Sequence, residues 1–163
     1  MTADTLPASS GIGAVQRARF DELDARTLYD LLRLRSDVFV VEQDCAFLDL
    51  DGRDLEPDAE QLWVADGAGV AAELRLLRER GDEWSLGRVV ARADVRSTGV
   101  ASRLLEAGLD RLRELGCRTV TIGAQAQLVD WYARFGFERA GPRYLEDGIL
   151  HVPMRRSLGP AGA

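Results

Sequence analysis

A loop around Arg96, Gly99 and Ala101 contains the residues whose types and spacing are best suited to chemistry. The loop follows a strand-like run that ends at Ala91 and opens a helix predicted from Thr98 to Leu115. The first N–H groups of a helix lack intrahelical partners and lie at the positive end of the helix dipole. Because small residues let a phosphate approach these groups closely, the loop predicts a site for a phosphorylated ligand.

Two motifs in this sequence resemble motifs of one enzyme family. Arg96, Gly99 and Ala101 fit the pattern Arg/Gln-x-x-Gly-x-Gly/Ala, which is similar to the acetyl-CoA-binding motif of the GNAT N-acetyltransferases. Farther along, Trp131-Tyr132-Ala133-Arg134-Phe135-Gly136-Phe137 resembles that family's segment of a tyrosine, three residues and Gly-Phe. Because both motifs occur in the family's order and spacing, the sequence resembles a GNAT acetyltransferase.

The resemblance covers the chain from about Phe20 to Arg156, and within the family it is closest to the ElaA-like group. It implies an α/β architecture, the GNAT acyl-CoA N-acyltransferase fold. In that fold a mixed, mostly antiparallel sheet is splayed between two central parallel strands and flanked by helices. The segments that carry the likeness to the ElaA-like group are Leu31–Cys45, Asp49–Asp54, Gly123–Gln127 and Glu146–His151.

The resemblance also implies acetyl-CoA as co-substrate, lying in the cleft between the splayed strands. Its pantetheine amides would pair with backbone groups of the strand before the motif, and N–H groups of the loop would hold its pyrophosphate. The cofactor-binding residues implied in this way are Val89, Val90, Ala91, Arg96, Ser97, Thr98, Gly99, Val100, Ala101 and Ser102.

Tyr132 occupies the position that the family uses for a catalytic proton donor. Acyl transfer to an amine needs a proton for the departing thiolate. A phenol is protonated at neutral pH and is only a slightly weaker acid than a thiol, so Tyr132 is the predicted donor. In the other interpretation, Trp131, Tyr132 and Phe135 are aromatic residues of the core.

The predicted acceptor is a primary amine of a small molecule or peptide, and four residues are predicted to bind it. They lie on the segments that resemble the ElaA-like group, and they are Arg35, Phe39, Glu42 and Gln125.

The group that removes the proton of the amine is left open among Glu42, Glu73, Asp147 and His151. Histidine changes its charge near neutral pH and therefore suits the task. A lone histidine at the start of a strand is more often structural, so the sequence assigns His151 no catalytic role.

The composition limits the classes of protein to which the chain can belong. With 163 residues, we predict a single acetyltransferase domain over 16–156, with disordered tails at 1–15 and 157–163. The formal charge of −6 argues against sequence-independent binding of nucleic acid. The sequence shows neither a membrane-spanning apolar run nor the charged and apolar regions of a signal peptide, so we predict a cytoplasmic protein.

Cys45 and Cys117 are predicted to be reduced thiols, and no metal site is predicted. An EF-hand loop with its glycine at Gly52 would start at Phe47, which offers no side-chain oxygen. The acidic stretch from Glu42 to Glu60 is therefore interpreted as a long loop in solvent, although it could also attract a cationic amine.

Hydrophobic periodicity and turn residues predict the order of the elements. A final strand pair is predicted within 138–156, and a homodimer through a sheet edge is one further prediction. The other predicted strands are Gln16–Phe20, Gln61–Ala65, Val70–Arg80, Glu83–Ala91 and Thr119–Ala124, the last parallel to Glu83–Ala91, and the other predicted helices are Ala25–Phe39 and Leu128–Phe135.

Two alternative functions stay open. The run of an arginine, three residues and Phe-Val-x-Glu, starting at Arg35, also resembles the acyl-homoserine-lactone synthases, which share the fold but use acyl carrier protein and S-adenosylmethionine. An acidic chain suits an acidic carrier protein less well than it suits coenzyme A. The second alternative is a non-catalytic CoA-binding or regulatory module.

Overall fold

The computed structural model describes residues 11–159, which form an eight-stranded sheet with helices packed against it. The strands are β1 (Gln16–Ala18), β2 (Glu60–Asp66), β3 (Gly69–Arg80), β4 (Glu83–Ala91), β5 (Thr119–Gln125), β6 (Glu138–Arg139), β7 (Tyr144–Glu146) and β8 (Ile149–Ser157). The helices are α1 (Ala25–Arg35), α2 (Val100–Glu114) and α3 (Val129–Ala133), and α1 continues into a wider π-helical segment, Ser36–Glu42.

The strand order is β1-β2-β3-β4-β5-β8-β6, with β7 also paired to β8. Within residues 11–159, β4 and β5 are parallel and every other pairing is antiparallel. α2 is the crossover that a parallel pair requires. The predicted fold, with its two central parallel strands, is therefore confirmed.

The two faces of the sheet have separate cores. On one face α2 buries an apolar stripe that includes Leu104, Leu105 and Leu112 against the side chains of β2, β3 and β4. On the other face Leu31 and Leu34 of α1 pack with residues of β2 and β4. The sheet is therefore covered by helices on both faces, and its central strands β3 and β4 each contact both α1 and α2.

α1 begins where its cap predicts. The side chain of Asp24 accepts a hydrogen bond from the N–H of Thr27 at 2.8 Å, which satisfies one of the unpaired donors of the first turn. The α-helix ends at Arg35, earlier than predicted, because the backbone widens into the π-helical segment. That segment carries the chain across the sheet towards the carboxyl end of β4.

Parts of the two predicted tails are attached to the sheet. The N–H of Gly13 donates to the carbonyl of Ala65 at 2.9 Å, and the N–H of Leu158 donates to Arg118 at 2.9 Å. Ser157 belongs to β8, so the predicted start of the second tail is wrong. The remaining tail residues, 1–10 and 160–163, lie outside the described residues. Over residues 11–159, none of the helices combines the length and apolarity needed to span a membrane.

Candidate active site

A cleft opens where β4 and β5 diverge. The two strands pair in parallel over Glu83–Ser85 and Thr119–Thr121. Farther along, their backbones separate around a cleft of about 1130 Å³, lined by the second half of β4 and by Ile122, Gly123 and Gln125 of β5. The splayed sheet implied by the family resemblance is therefore present.

A bulge in β4 accounts for this divergence. Arg88 and Val89 lie opposite the single residue Leu74 of β3, and a bulged strand bends. Arg88 has φ = 52°, a left-handed conformation that non-glycine residues rarely adopt. Its guanidinium holds the bulge in place by an ion pair with Asp49, where Nε and Oδ1 are 2.8 Å apart.

α2 begins at the mouth of the cleft. Its N-cap, Gly99, has φ = 84°, and among the described residues no side chain caps the first turn, which leaves the first N–H groups of α2 without a capping partner. Thr98 does not line the cleft, because its hydroxyl donates to the carbonyl of Val95. The other predicted cofactor residues line it: Val89, Val90, Ala91, Arg96, Ser97, Gly99, Val100, Ala101 and Ser102.

Arg96 links the loop before α2 to the π-helical segment. Its two terminal nitrogens donate to the carboxylate of Glu42 at 2.8 and 2.6 Å, and its Nε donates to Ala91 at 3.0 Å. The hydrogen bonds from Arg96 lower the pKa of Glu42. Glu42 lines the cleft as predicted, but as a carboxylate already engaged by a guanidinium it is a weak base.

Tyr132 lies at once in the core and in the wall of the cleft. It is 6% exposed, and its ring packs edge-on against Trp131 at 4.8 Å and Phe137 at 5.9 Å. Tyr132 and Trp131 line the cleft, whereas Phe135 packs against the core. Burial raises the pKa of the Tyr132 hydroxyl, which is therefore protonated at neutral pH and available as a donor.

Phe39 and Gln125, two of the predicted acceptor residues, also line the cleft. The side-chain nitrogen of Gln125 donates to the side-chain oxygen of Gln43 at 3.2 Å. The thiol of Cys45 donates to the carbonyl of Asp147 at 3.1 Å. These contacts join the segment after α1 to β5 and to the turn between β7 and β8, so the cleft has walls on both sides.

Arg35 does not line the cleft, so its prediction as an acceptor-binding residue is not supported. Its side chain is 1% exposed, and it donates to Asp49 at 2.8 Å and to Asp54 at 2.7 Å. Arg75 donates in the same way to Asp51 at 2.9 Å. The interpretation of the acidic stretch as a solvated loop is therefore wrong, since its aspartates neutralise buried and partly buried arginines.

Glu73, a candidate base, is fully buried next to this network. Neither carboxyl oxygen has a hydrogen-bond partner within residues 11–159, and the residue lies outside the cleft lining. Three aspartates already balance three arginines in the network formed by Arg35, Arg75, Arg88, Asp49, Asp51 and Asp54. Burial raises the pKa of Glu73 well above its usual range, so the group is held neutral.

Glu73→Gln is therefore expected to stabilise the protein increasingly as the pH rises from 5 to 8, by about 1 kcal/mol or more. A raised folded-state pKa gives stability that is present at low pH and lost on alkalinisation, and glutamine does not suffer that loss. The measurement is urea unfolding at several pH values. Glu79→Gln on the same strand is the matched control. Hydrogen bonding to Arg53 lowers the pKa of Glu79, so this substitution should destabilise the protein instead of stabilising it. A Glu73→Gln effect independent of pH would contradict the neutral carboxyl.

Tyr144 and Gly123 are among the cleft residues that sequence reasoning did not assign to the site. The Tyr144 hydroxyl lies over Gly123, where a Cβ would meet it at 2.5 Å, so a larger residue at this position of β5 would displace the Tyr144 side chain. A glycine inside a β-branched run is the sequence signal for such a close approach. Arg88 had no comparable signal, because its role depends on a bulge and on distant aspartates.

The other candidate sites offer fewer groups that could bind a ligand or take part in a reaction. A depression of about 290 Å³ lies at the far end of the sheet, between Glu60, Arg78 and Asp82. Several of its charged groups are already paired, Glu60 with Arg111 and Arg78 with Asp58. Within residues 11–159, histidine, cysteine and acidic side chains form no group of three or more that could hold a metal.

The sequence matches a protein-family model and several known proteins. A family model described as "Acetyltransferase (GNAT) domain" matches residues 51–158. A UPF0039 protein of Mycobacterium tuberculosis is 45% identical over 147 residues, which are 88% of this chain and 92% of that protein. Protein ElaA of Escherichia coli is 35% identical over 146 residues, which are 88% of this chain and 95% of ElaA.

Solved structures share the fold. An acyl-CoA N-acyltransferase from Pseudomonas aeruginosa is 36% identical with a TM-score of 0.84, covering 88% of this chain and 99% of that one. Two more distant structures show the fold alone. The acyl-homoserine-lactone synthase LasI is 17% identical with a TM-score of 0.76, over 92% of this chain and 91% of its own. An aminoglycoside 6′-N-acetyltransferase complexed with coenzyme A is 12% identical with a TM-score of 0.71, over 91% and 99%.

Proposed function

Because the chain belongs to the GNAT acetyltransferase family, we propose that it transfers an acetyl group from acetyl-CoA to a primary amine by direct attack in a ternary complex. Family and fold support acyl transfer from coenzyme A. The proposal adds two specific points, that the acyl group is acetyl and that the acceptor is an amine of a small molecule or peptide. The observation that carries it is the uncapped first turn of α2 at the mouth of the splayed cleft.

The cleft provides for both substrates. The N–H groups at the start of α2 would bind the pyrophosphate, and the bulged part of β4 would pair with the pantetheine amides. Tyr132 would protonate the departing thiolate. Its hydroxyl lies in the buried wall of the cleft, and a thiolate formed beside it would have its basicity raised by the same low-dielectric environment. The side of the cleft that carries Phe39 and Gln125 would receive the amine.

The proposed compartment is the cytoplasm. Cys45 and Cys117 are both free and buried, as expected for a protein kept in a reducing environment.

Gly99→Glu is expected to weaken acetyl-CoA binding about tenfold or more. The new carboxylate would stand at the positive end of α2, where the pyrophosphate must bind, and would repel it. Isothermal titration calorimetry with acetyl-CoA and with CoA measures the change.

Gly116→Glu is the matched control for this variant. Gly116 has φ = 78° just beyond the other end of α2, so the substitution brings similar backbone strain and the same charge without touching the cleft. We expect Gly116→Glu to bind acetyl-CoA as the wild type does. Equal affinities of Gly99→Glu and the wild type would contradict the assigned pyrophosphate site.

A substrate panel tests the reaction itself. Monoamines, polyamines and peptides are incubated with acetyl-CoA or longer acyl-CoAs, and release of free thiol is followed. A parallel arm with S-adenosylmethionine tests the synthase activity, which the likeness to the fold of LasI favours as second candidate. Acetyl transfer to an amine supports the proposal, lactone formation supports the synthase, and acetyl-CoA binding without turnover supports a non-catalytic module.

A further inference from the structure

His151 of β8 lines the cleft on the acceptor side, where the incoming amine must lose its proton. It lies opposite Gln125 of β5 in one direction and opposite Tyr144 of β7 in the other. The side chain is half-buried and therefore reachable from the cleft. This position places an imidazole between the two strands that form the acceptor wall.

The local structure fixes which nitrogen of this ring can act as a base. Nδ1 lies 2.8 Å from the carbonyl oxygen of Ile149, and a carbonyl oxygen can only accept a hydrogen bond. Nδ1 must therefore carry the proton, which leaves the lone pair of the neutral ring on Nε2. A backbone carbonyl that sets the tautomer in this way is a common means of preparing a histidine for proton transfer.

Tyr144 holds the ring in this orientation. The rings of Tyr144 and His151 stack with their centroids 5.5 Å apart at an interplanar angle of 20°. Tyr144 is itself seated by its hydroxyl over Gly123. Contacts from two neighbouring strands thus fix the imidazole. Its side chain therefore loses no further conformational entropy when an amine binds.

The other candidate bases are less suitable. Glu42 is held by Arg96 in a two-point contact, and Glu73 is buried outside the cleft lining. Asp147 lies exposed in the turn between β7 and β8. The other ionisable side chains that line the cleft with His151 are Glu42, Cys45, Asp51, Arg88, Arg96, Tyr132, Arg134, Tyr144, Glu146 and Asp147.

We propose that Nε2 of His151 is the general base of the acetyl transfer, an assignment that rests on the proposed function. The ammonium group of the acceptor gives a proton to Nε2, and its nitrogen lone pair then attacks the thioester carbonyl. The C–N bond forms and the C–S bond breaks, while Tyr132 gives its proton to the thiolate. The nitrogen loses a second proton, which restores Tyr132, and His151 releases the first to solvent.

The tautomer can be tested directly, because His151 is the only histidine in the chain. In protein without a histidine tag, ¹⁵N-labelled histidine gives one pair of ring-nitrogen signals without assignment. At a pH where the ring is neutral, we expect the proton on Nδ1 and a shift of the Nε2 signal when an amine acceptor is added. A proton on Nε2 of the folded protein would overturn the proposal, whatever the activity.

Kinetics supply the second test. We expect His151→Gln to lower kcat/KM for an amine about 10²-fold at pH 7, because glutamine cannot take up a proton. The loss should be larger for an alkylamine than for a peptide α-amino group, since less of the more basic amine is free. It should shrink as the pH rises. Arg155→Gln, at an exposed position of β8 outside the cleft lining, is the control.

The outcomes separate the two claims. If the wild type acetylates an amine and His151→Gln does so equally well, the assignment of His151 fails while the proposed function stands. If the wild type acetylates nothing, the proposed function fails and the base assignment, which rests on it, falls with it. A loss in His151→Gln that is the same at every pH and for every amine would show a structural role and overturn the base assignment.

Discussion

Tyr132→Phe is expected to lower kcat for acetyl transfer about 10²- to 10³-fold at pH 7, while the Kd for acetyl-CoA changes less than about twofold. The substitution removes one hydroxyl and keeps the ring that packs against Trp131 and Phe137. Burial raises the pKa of that hydroxyl, so it enters the reaction as a proton donor and not as a phenolate. Its loss should therefore affect the departure of the thiolate and leave binding intact.

The measurement is steady-state kinetics beside calorimetry of acetyl-CoA binding. Tyr29→Phe serves as matched control, because Tyr29 is 66% exposed on α1 and lies outside the cleft lining. If Tyr132→Phe and the wild type turn over at the same rate, Tyr132 is an aromatic core residue and nothing more. A reduced affinity for acetyl-CoA with unchanged kcat would assign Tyr132 to binding instead of proton transfer.

The cofactor side of the site was predictable because its signals are local. Gly99, the strand before it and the helix after it lie within one short stretch of sequence, and a helix start binds anions by its backbone alone. The crossover helix also predicts that β4 and β5 are parallel, since parallel strands need such a connection. On this side the sequence did not reveal that the Thr98 hydroxyl turns to the carbonyl of Val95, or that β4 has a bulge at Arg88.

The acceptor side was less predictable because its contacts join distant parts of the chain. Cys45 reaches Asp147, and Gln43 reaches Gln125, across separations that no local pattern reveals. The tautomer of His151 depends on one carbonyl oxygen two residues away, and its orientation depends on Tyr144 from the preceding strand. A lone histidine at a strand start carries none of this information in sequence.

Arg35 shows how a correct resemblance can suggest a role that the tertiary contacts do not support. Its segment resembles the ElaA-like group, so the sequence placed it with the substrate. In the folded chain, its guanidinium is satisfied by Asp49 and Asp54 from the acidic stretch. Whether a charged residue binds ligand or supports the fold depends on which opposite charges the tertiary structure brings to it, and the spacing along the chain does not specify that.

Arg35→Ala is expected to cost about 3–5 kcal/mol of the free energy of unfolding, because it removes the fully buried cation between Asp49 and Asp54 and leaves each carboxylate with one arginine contact fewer. Hydrogen bonds from Arg35 lower the pKa of Asp54, although burial alone would raise it. In the wild type, this contribution is present at neutral pH and is lost as the pH falls through the folded-state pKa of Asp54. The deficit of Arg35→Ala should therefore be largest near pH 7 and narrow in acid.

Urea unfolding at pH 7 and at a pH well below 3.8, the ordinary pKa of an aspartate, measures this deficit, and Arg33→Ala is the matched control. Arg33 lies two residues earlier on α1, is 68% exposed and forms only a long surface contact of 3.7 Å with Asp37, so its loss should change stability little. A substrate-binding role for Arg35 predicts the reverse pattern, a raised KM for the amine with an unchanged unfolding midpoint. Asp49 also forms an ion pair with Arg88 at the bulge of β4, so Arg35→Ala could disturb the acetyl-CoA site as well. If Arg35 has a structural role, any weakening of acetyl-CoA binding in this variant should be accompanied by a loss of stability.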